Sequence, residues 1–178
     1  ANAVISRDPS QIKDCEKLVL PGVGAFPECM KNLDSFKLVT PILDFIKSDR
    51  PFLGICLGLQ LLFDESEEFG LHSGLKVIPG KVKAFGKDMG LKIPHMGWNQ
   101  VKFEKEVPIF KNIPDGSWFY FVHSYYVDPL YPQDIAARTN YGIEFTCAVS
   151  RSNLYALQFH PEKSQENGLR ILSNFAEL

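Results

Sequence analysis

The sequence has few of the features that mark secreted, membrane-bound or metal-binding proteins. It has four cysteines in 178 residues, and none of them show the Cys-x-x-Cys spacing of metal or redox motifs. No run approaches the roughly 20 apolar residues of a transmembrane helix. The first residues, ANAVISRDPS, lack the basic start and apolar centre of a signal peptide. These absences predict a cytoplasmic protein with free thiols.

A strong net charge is also absent. The 19 Lys and Arg residues nearly balance the 21 Asp and Glu residues, and the basic residues form no run. Binding to nucleic acid or to a membrane surface by electrostatics is therefore not expected, and small molecules or proteins are the favoured partners. With 45% apolar residues, the chain is long enough for one domain, residues 1–178, with a substantial core.

The order of apolar segments in the first seventy residues predicts parallel α/β structure. Continuous apolar runs at 17–22 (KLVLPG) and 52–55 (FLGI) are typical of buried strands. Cap-plus-proline signals at 8–9 and 40–41 predict two helices, and a leucine pattern predicts a third over about 57–68. Strands that alternate with helices usually form a parallel sheet.

The second half of the chain changes character. Its segments are rich in aromatic and β-branched residues between Gly, Pro and Asn turns, which predicts antiparallel strands. A closing helix follows, with Ser164 as N-cap and with Leu169, Leu172 and Phe175 on one face. The expected fold is α/β, with a mostly parallel central sheet flanked by helices and an antiparallel, strand-rich second half.

The segment PFLGICLGLQLLF (51–63) carries the clearest chemical signal. Within it, GICLG has the Gly-x-nucleophile-x-Gly form of a strand-to-helix elbow, with the sulfur of Cys56 as the nucleophile. Glycines two positions away on either side relieve the crowding of such a turn. The positive end of the following helix is expected to lower the pKa of the thiol. A core cysteine beside helix-packing glycines is the alternative.

A base for this thiol is expected among the histidines at 72, 95, 123 and 160. In LYALQFHPEKS, His160 ends an apolar strand and Glu162 follows two residues later. A carboxylate at that distance can orient the imidazole, as a Cys-His-acid triad requires. An ordinary solvent-facing strand end is the alternative for His160. The long separation from Cys56 is expected where folding assembles a site.

Five segments together resemble one family. They are LPGVGAF (20–26), GICLGLQLL (54–62), IPHMGWN (93–99), YFVHSYY (120–126) and LQFHPEKS (157–164). With these motifs in order, the chain resembles the triad-type (class I) glutamine amidotransferases, whose fold is flavodoxin-like. PGVGAF, PHMGWN and FVHSYY resemble most closely the glutaminase subunits of imidazole glycerol phosphate synthase, which act in histidine biosynthesis.

The resemblance implies a role for each member of the triad. Cys56 is the expected nucleophile, His160 the general base and then acid, and Glu162 the group that orients the imidazole. Glutamine is hydrolysed to glutamate and ammonia through a γ-glutamyl thioester. The amides of Leu57 and Val23 are expected to form the oxyanion hole, and the glycines beside Val23 allow its peptide to flip between an inactive and an active state.

The resemblance also implies substrate and partner contacts. The expected glutamine contacts are Gly22, Gly24, Gln60, Ser124 and Tyr125, and the expected interface residues are Trp98 and Lys163. A place in the hydrophobic core is the alternative for Tyr125 and Trp98. A solvated surface position is the alternative for Lys163.

The released ammonia needs a destination, because free ammonia is protonated and lost in water. The resemblance implies a separate (β/α)8-barrel cyclase subunit, bound as a heterodimer, that produces imidazole glycerol phosphate and aminoimidazole carboxamide ribotide. The sequence shows no phosphate loop, metal-ligand spacing or dinucleotide fingerprint. No cofactor or metal is therefore expected.

The sequence departs from the family at its start. The family usually has a strand with an Asp-Tyr-Gly-x-Gly-Asn turn and a helix before the segment that corresponds to AVISRDP, and we expect this domain to lack both. We expect the loss to leave a neighbouring strand unpaired and an apolar face open. The alternatives are a non-catalytic docking module, a γ-glutamyl hydrolase that needs no partner, and a relative devoted to surface polysaccharide synthesis.

Overall fold

A computed structural model describes residues 2–86 and 90–178, which form helices packed on a large mixed sheet and a separate two-stranded ribbon. The helices are α1 (Pro9–Asp14), α2 (Phe26–Ser35), α3 (Val39–Lys47), α4 (Leu57–Gln60) and α5 (Gln165–Glu177). The strands are β1 (Leu18–Gly22), β2 (Phe52–Cys56), β3 (Phe63–Ser66), β4 (His72–Ser73), β5 (Ile78–Ala84), β6 (His95–Gln100), β7 (Lys102–Phe103), β8 (Trp118–His123), β9 (Tyr125–Pro129), β10 (Ile135–Tyr141), β11 (Ile143–Arg151) and β12 (Leu154–Leu157). Short 3-10 helices lie at Pro108–Phe110, Pro132–Asp134 and Pro161–Lys163.

The large sheet has the strand order β1-β2-β12-β11-β9-β5-β3-β4, and β10 extends it by pairing with β11 and β7. β2 is parallel to both β1 and β12, and β3 is parallel to β5. The remaining pairs of this sheet are antiparallel. The predicted α/β fold is confirmed, and the sheet as a whole is mixed.

Strand β2 separates two hydrophobic cores because both of its faces are apolar. All residues from Phe52 to Cys56 are buried. Leu53 and Ile55 pack into a cluster that includes residues of α5 and of the ribbon, whereas Phe52 packs into a cluster with residues of α1, α2 and α3. Complete burial of a side chain such as Phe52 stabilises the fold by about 1.5–3 kcal/mol. The strand that carries Cys56 is therefore held firmly on both sides.

The helix predicted from Leu57 to about Glu68 is wrong in its length. It ends at Gln60, and the chain then forms β3 at Phe63–Ser66. The leucines in this segment are buried whichever way they point, so their spacing could not distinguish a helix from a strand. Phe63 instead gains a parallel partner in β5.

The first two predicted helix starts have different outcomes. At α1 the side chain of Asp8 accepts a hydrogen bond from the amide of Ser10, as expected for an N-cap. At α3 the helix begins at Val39 with Leu38 as N-cap, so the predicted capping role of Thr40 is wrong. Leu38 is buried, and its side chain makes no cap hydrogen bond.

The buried face of α5 also differs from the prediction. Phe175 is buried and Leu172 packs against the core, as predicted, but Leu169 is 60% exposed, and Gly168 and Ile171 are the other buried residues. Gly168 explains the difference, because a Cβ there would overlap the carbonyl oxygen of Pro161. A glycine face lets this helix pack closely against the preceding turn. α5 has 13 residues, and none of the helices in the described ranges is long and apolar enough to cross a membrane.

Strand β1 lies at the edge of the large sheet, where its hydrogen-bonded neighbour is β2. Its other edge has no strand partner within residues 2–86 and 90–178. Val19 of this strand is 42% exposed, Val4 is 73% exposed and Ile5 is fully exposed. Val19 therefore leaves apolar surface exposed on this edge strand.

Candidate active site

Cys56 lies between β2 and α4 on a backbone conformation that non-glycine residues rarely adopt. Its φ is 54° and its ψ is −109°, and such a conformation costs on the order of 1–3 kcal/mol. The flanking glycines provide the necessary room. A Cβ at Gly54 would lie 2.9 Å from the carbonyl oxygen of Gly58, and a Cβ at Gly58 would overlap the carbonyl oxygen of Leu20. The predicted elbow is therefore present.

Cys56 lines a cavity of about 420 Å³ at the ends of β1, β2, β8 and β12. Of the residues predicted for the site, all except Glu162 and Trp98 line this cavity. A larger groove of about 880 Å³ is lined by residues between 103 and 115, but it contains no cysteine or histidine. The smaller cavity is the candidate active site because it holds both a thiol and an imidazole.

The turn after β12 brings His160 and Glu162 to the cavity. β12 is parallel to β2, with Leu157 opposite Ile55, so the two strands end at the same edge of the sheet. The Nδ1 of His160 lies 2.8 Å from Oε1 of Glu162. Since a carboxylate only accepts, Nδ1 carries the proton and Nε2 is the basic nitrogen.

The basic nitrogen of His160 is unusual in its hydrogen bonding. Nε2 is buried and has no hydrogen-bond partner among the described residues. Most buried polar atoms are hydrogen-bonded, so such an atom calls for a physical reason. His160 lines the cavity that also contains the thiol, so its unpaired basic nitrogen has the character expected of a general base.

The thiol of Cys56 is surrounded by hydrogen-bonding groups. Its Sγ lies 3.7 Å from Nε2 of Gln158 and 3.9 Å from the carbonyl oxygen of Val122. Burial raises the pKa of Cys56 to about 11, and the charge of Glu162 also raises it, against smaller opposing effects from Leu57, Gln158 and Lys163. The predicted lowering of this pKa is wrong, because desolvation by burial outweighs the effects that lower it.

The PGVG loop (21–24) lies against the elbow. A Cβ at Gly22 would be 2.8 Å from Cβ of Leu57, so only glycine allows this approach. Gly24 has a φ of +99° and no atom within 4 Å of the position that a Cβ would take. Val23 lies between them with its side chain 85% exposed. The loop is thus closely packed at Gly22 and unconfined at Gly24.

Two of the predicted substrate contacts are also bonded to each other. Nε2 of Gln60 donates to the carbonyl oxygen of Tyr125 at 3.2 Å and to Oε1 of Gln158 at 3.0 Å. Both amide hydrogens of Gln60 are therefore used. The remaining polar atom, Oε1, is the one that Gln60 can offer to a ligand.

Sequence reasoning missed Glu68, which also lines the cavity. Its Oε2 accepts a 2.7 Å hydrogen bond from the amide of Phe26, the first residue of α2. A carboxylate in this position can bind the ammonium group of a substrate. The segment DESEEF around Glu68 looks like a solvated acidic stretch, so no local signal marks it.

A buried histidine pair beside the cavity was also missed. Nδ1 of His123 donates to the carbonyl oxygen of Tyr125 at 2.8 Å, so its Nε2 accepts from Nδ1 of His95 at 2.9 Å. Nε2 of His95 then accepts from Nδ2 of Asn99 at 3.2 Å. Burial lowers the pKa of His95 to about 4 and that of His123 to about 3. Both imidazoles are therefore neutral near pH 7.

The ribbon formed by β6 and β8 has two different faces. The pair His95 and His123 belongs to the inner face, and the next residues along each strand belong to the outer one. The outer face consists of Met96, Trp98, Gln100, Trp118, Tyr120 and Val122. Trp98 is 43% exposed and is not a core residue. Lys163 extends this face, with Nζ 5.9 Å from the ring centre of Tyr120.

The chain is similar to proteins of known family over almost its whole length. The family model described as glutamine amidotransferase class-I matches residues 4–178. The imidazole glycerol phosphate synthase subunit HisH of Syntrophotalea carbinolica is 54% identical over 182 residues, which cover 99% of this chain and 88% of that protein. The protein of the same name from Geobacter sulfurreducens is 52% identical over 181 residues, which cover 99% and 87%.

Solved structures share the fold at lower identity. The glutaminase domain of Trypanosoma brucei CTPS with bound acivicin has a TM-score of 0.65 and 20% identity, and the match covers 95% of this chain and 74% of that one. PurLQS from Thermotoga maritima has a TM-score of 0.69 and 16% identity, with coverage of 92% and 80%. These likenesses concern the fold alone. Since the family model matches nearly the whole chain and relatives share about half of its residues, this chain belongs to the class-I glutamine amidotransferases.

Proposed function

We propose that this protein is the glutaminase subunit of an imidazole glycerol phosphate synthase and releases ammonia from glutamine for histidine biosynthesis. One observation carries the proposal. Cys56 and His160 line the same cavity, with the imidazole bonded to Glu162 and its Nε2 left available. The chain that carries this arrangement is about half identical to proteins named as that subunit.

The reaction begins with proton transfer from the thiol of Cys56 to Nε2 of His160. Glu162 stabilises the imidazolium that forms, because it already accepts from Nδ1 at 2.8 Å. The thiolate attacks the side-chain carbonyl carbon of glutamine, and the tetrahedral intermediate collapses when His160 protonates the departing nitrogen. Ammonia and a γ-glutamyl thioester result. His160 then activates water, which cleaves the thioester to glutamate and regenerates the thiol.

The negative oxygen of the intermediate needs two donors. The amide of Leu57 follows the nucleophile directly and already influences the thiol in the free protein. The amide of Val23 is the proposed second donor. Support comes from the glycines on either side of it, of which Gly24 has a positive φ and empty space around it. A flip of this peptide would switch the site between a resting and an active state.

The glutamine backbone is proposed to bind at the opposite end of the cavity. Its ammonium group has acceptors in the carboxylate of Glu68 and the Oε1 of Gln60. Its carboxylate has donors in the hydroxyl of Ser124 and in backbone amides near Tyr125 and Gly24. All of these residues line the cavity that contains Cys56.

The outer face of the ribbon is the proposed docking surface for the partner. Val122 and Lys163 line the cavity and also belong to or adjoin this face, so ammonia released at Cys56 has a short path to it. Trp98 supplies an exposed aromatic anchor and Lys163 a charge for an ion pair. The proposed partner is a (β/α)8-barrel cyclase subunit in a cytoplasmic heterodimer.

The test is glutamate release from glutamine, measured with the full chain alone and with the cyclase subunit and its ribotide substrate. We expect release that depends on the partner and falls at least about a thousandfold in Cys56→Ala, because the nucleophile is lost. Cys29→Ala removes a partly buried thiol outside the cavity and serves as the matched control, with release unchanged.

Two results would contradict the proposal. Equal release with and without the partner would indicate a γ-glutamyl hydrolase. No release under any condition, from a chain that still binds the cyclase, would indicate a docking module.

A further inference from the structure

Gln158 is a buried polar side chain that the mechanism above does not use. It directly follows β12, and because Leu157 is paired with Ile55, Gln158 lies beside Cys56. Its exposed fraction is 0%. Its Nε2 makes a 3.7 Å contact with the sulfur of Cys56. A fully buried amide therefore contacts the proposed nucleophile.

A chain of hydrogen bonds determines which end of this amide faces the sulfur. The chain starts at the carbonyl oxygen of Tyr125, which can only accept, so Gln60 presents its Nε2 there. The same nitrogen donates its second hydrogen to Oε1 of Gln158 at 3.0 Å. With Oε1 engaged, Nε2 is the atom of Gln158 that faces Cys56. An N–H donor, and not an oxygen, therefore points at the sulfur.

We propose that Gln158 is a positioning residue for the nucleophile, whose amide N–H holds the sulfur of Cys56 and stabilises its thiolate. The proposal deepens the proposed function and rests on it for the role of the thiolate. An N–H donor bonds an anion more strongly than a neutral thiol, and the effect is larger in surroundings from which water is excluded. Cys56 as a residue is only 8% exposed, so few water molecules can replace this donor.

Several ionisable groups also line or adjoin the site of this sulfur. Their effects on the thiol must be distinguished from the effect of Gln158. The groups are His160, Glu162 and Lys163 after β12, His123 at the end of β8, and Glu68, which also lines the cavity. Glu162 raises and Lys163 lowers the pKa of the thiol. Gln158 acts in the same direction as Lys163 without carrying a charge, so a substitution of similar shape can isolate its contribution.

The test uses two variants that keep the side-chain length. Gln158→Met removes the donor, and Gln158→Glu keeps an acceptor for Gln60 but places a carboxylate against the sulfur. The measurement is the rate of alkylation of Cys56 by iodoacetamide between pH 7 and 10 in the full chain without partner or glutamine. Mass spectrometry of the peptide that contains Cys56 distinguishes it from the other thiols. Gln133→Met, at an exposed position outside the cavity, is the matched control.

We expect alkylation of Cys56 to slow about tenfold in Gln158→Met, as a shift of roughly one pKa unit requires, and further in Gln158→Glu. The control should match the wild type. Unchanged alkylation in both Gln158 variants would overturn the proposal, whether or not their thermal unfolding midpoints fall, since a packing role alone would lower only the midpoint. If Gln158→Met does not fold, Gln158→Glu decides, because it retains the bond to Gln60.

Glutaminase kinetics distinguish a failure of this inference from a failure of the proposed function. If the wild type with its partner releases glutamate, Gln158→Met should lower kcat about tenfold and change KM less than about twofold. If the wild type releases none, the proposed function fails. The alkylation rates would still decide whether Gln158 holds the thiolate.

Discussion

His160, His95 and His123 are all buried, but the hydrogen bonding of their ring nitrogens differs. In the pair, each of the four nitrogens has a hydrogen-bond partner. In His160, Nδ1 is bonded to Glu162, whereas Nε2 has no partner in the part of the chain that the structure describes. The burial of a histidine therefore does not identify a base, and a nitrogen left available in a cavity is the more specific sign.

The two sites also differ in the groups that face each imidazole. His123 and His95 lie in a chain of fixed donors and acceptors, and burial lowers the pKa of both. His160 instead donates from Nδ1 to Glu162, and its Nε2 has no partner among the described residues. A histidine that must gain and lose a proton in each turnover needs this arrangement. The pair is suited to holding the fold in one state.

From this comparison, the largest loss of activity is expected on substitution of His160. His160→Asn should lower glutamate release by the protein with its partner at least about a thousandfold, because proton transfer in both half-reactions is lost. The free energy of unfolding should fall by no more than about 2 kcal/mol, because the amide of Asn can still donate to Glu162 and only part of the buried ring is lost. Urea denaturation and glutamate release measure the two quantities. A stable variant with wild-type activity would show that the nitrogen at Nε2 has no catalytic role.

A smaller effect is expected at Glu162. Glu162→Gln keeps the size of the side chain and removes the charge that stabilises the imidazolium, so kcat should fall on the order of a hundredfold. The side chain is 47% exposed, and stability should stay within about 0.5 kcal/mol. Steady-state kinetics with the partner present test this. An unchanged kcat would mean that another group orients His160.

Substitution of His123 is expected to change activity least and to lower stability most clearly. His123→Phe leaves a donor on His95 and the carbonyl oxygen of Tyr125 with one bond fewer, so the free energy of unfolding should fall by about 1–3 kcal/mol. Urea denaturation at pH 7.5 measures this loss. His72→Gln, on the short strand β4, is the control and should stay within about 0.5 kcal/mol.

The same variant tests the acid response. The pKa values of His95 and His123 are lowered to about 4 and 3 in the folded protein, and an unfolded histidine titrates near 6.5. The unfolded state therefore binds more protons below pH 6.5. Stability should be level above this pH and should fall by up to about 1.4 kcal/mol per pH unit for each histidine as the pH drops toward 4. An acid slope equal to that of the wild type in His123→Phe would contradict this account.

Local patterns predicted the parts of the site that depend on local structure. The elbow at Cys56 was predictable because crowding between residues two positions apart selects glycine at both flanks. The bond between His160 and Glu162 was predictable because it spans two residues. The strand at 52–56 was predictable because a short apolar run between turn signals is typical of a buried strand.

Contacts across the fold were not predictable in this way. Gln158 meets Cys56 across 102 positions and Gln60 across 98, and nothing near any of them in sequence signals the contact. The register between β12 and β2 creates the first of these contacts. The pKa of Cys56 was also predicted in the wrong direction, since the extent of burial depends on residues from several distant segments.

The left-handed backbone at Cys56 has a consequence for how this protein can be engineered. A glycine at that position would relieve the strain of a φ of 54° at the loss of one small buried side chain. Screens that select only for thermal stability would therefore tend to favour inactive variants. A search for stable variants should also select for enzymatic activity.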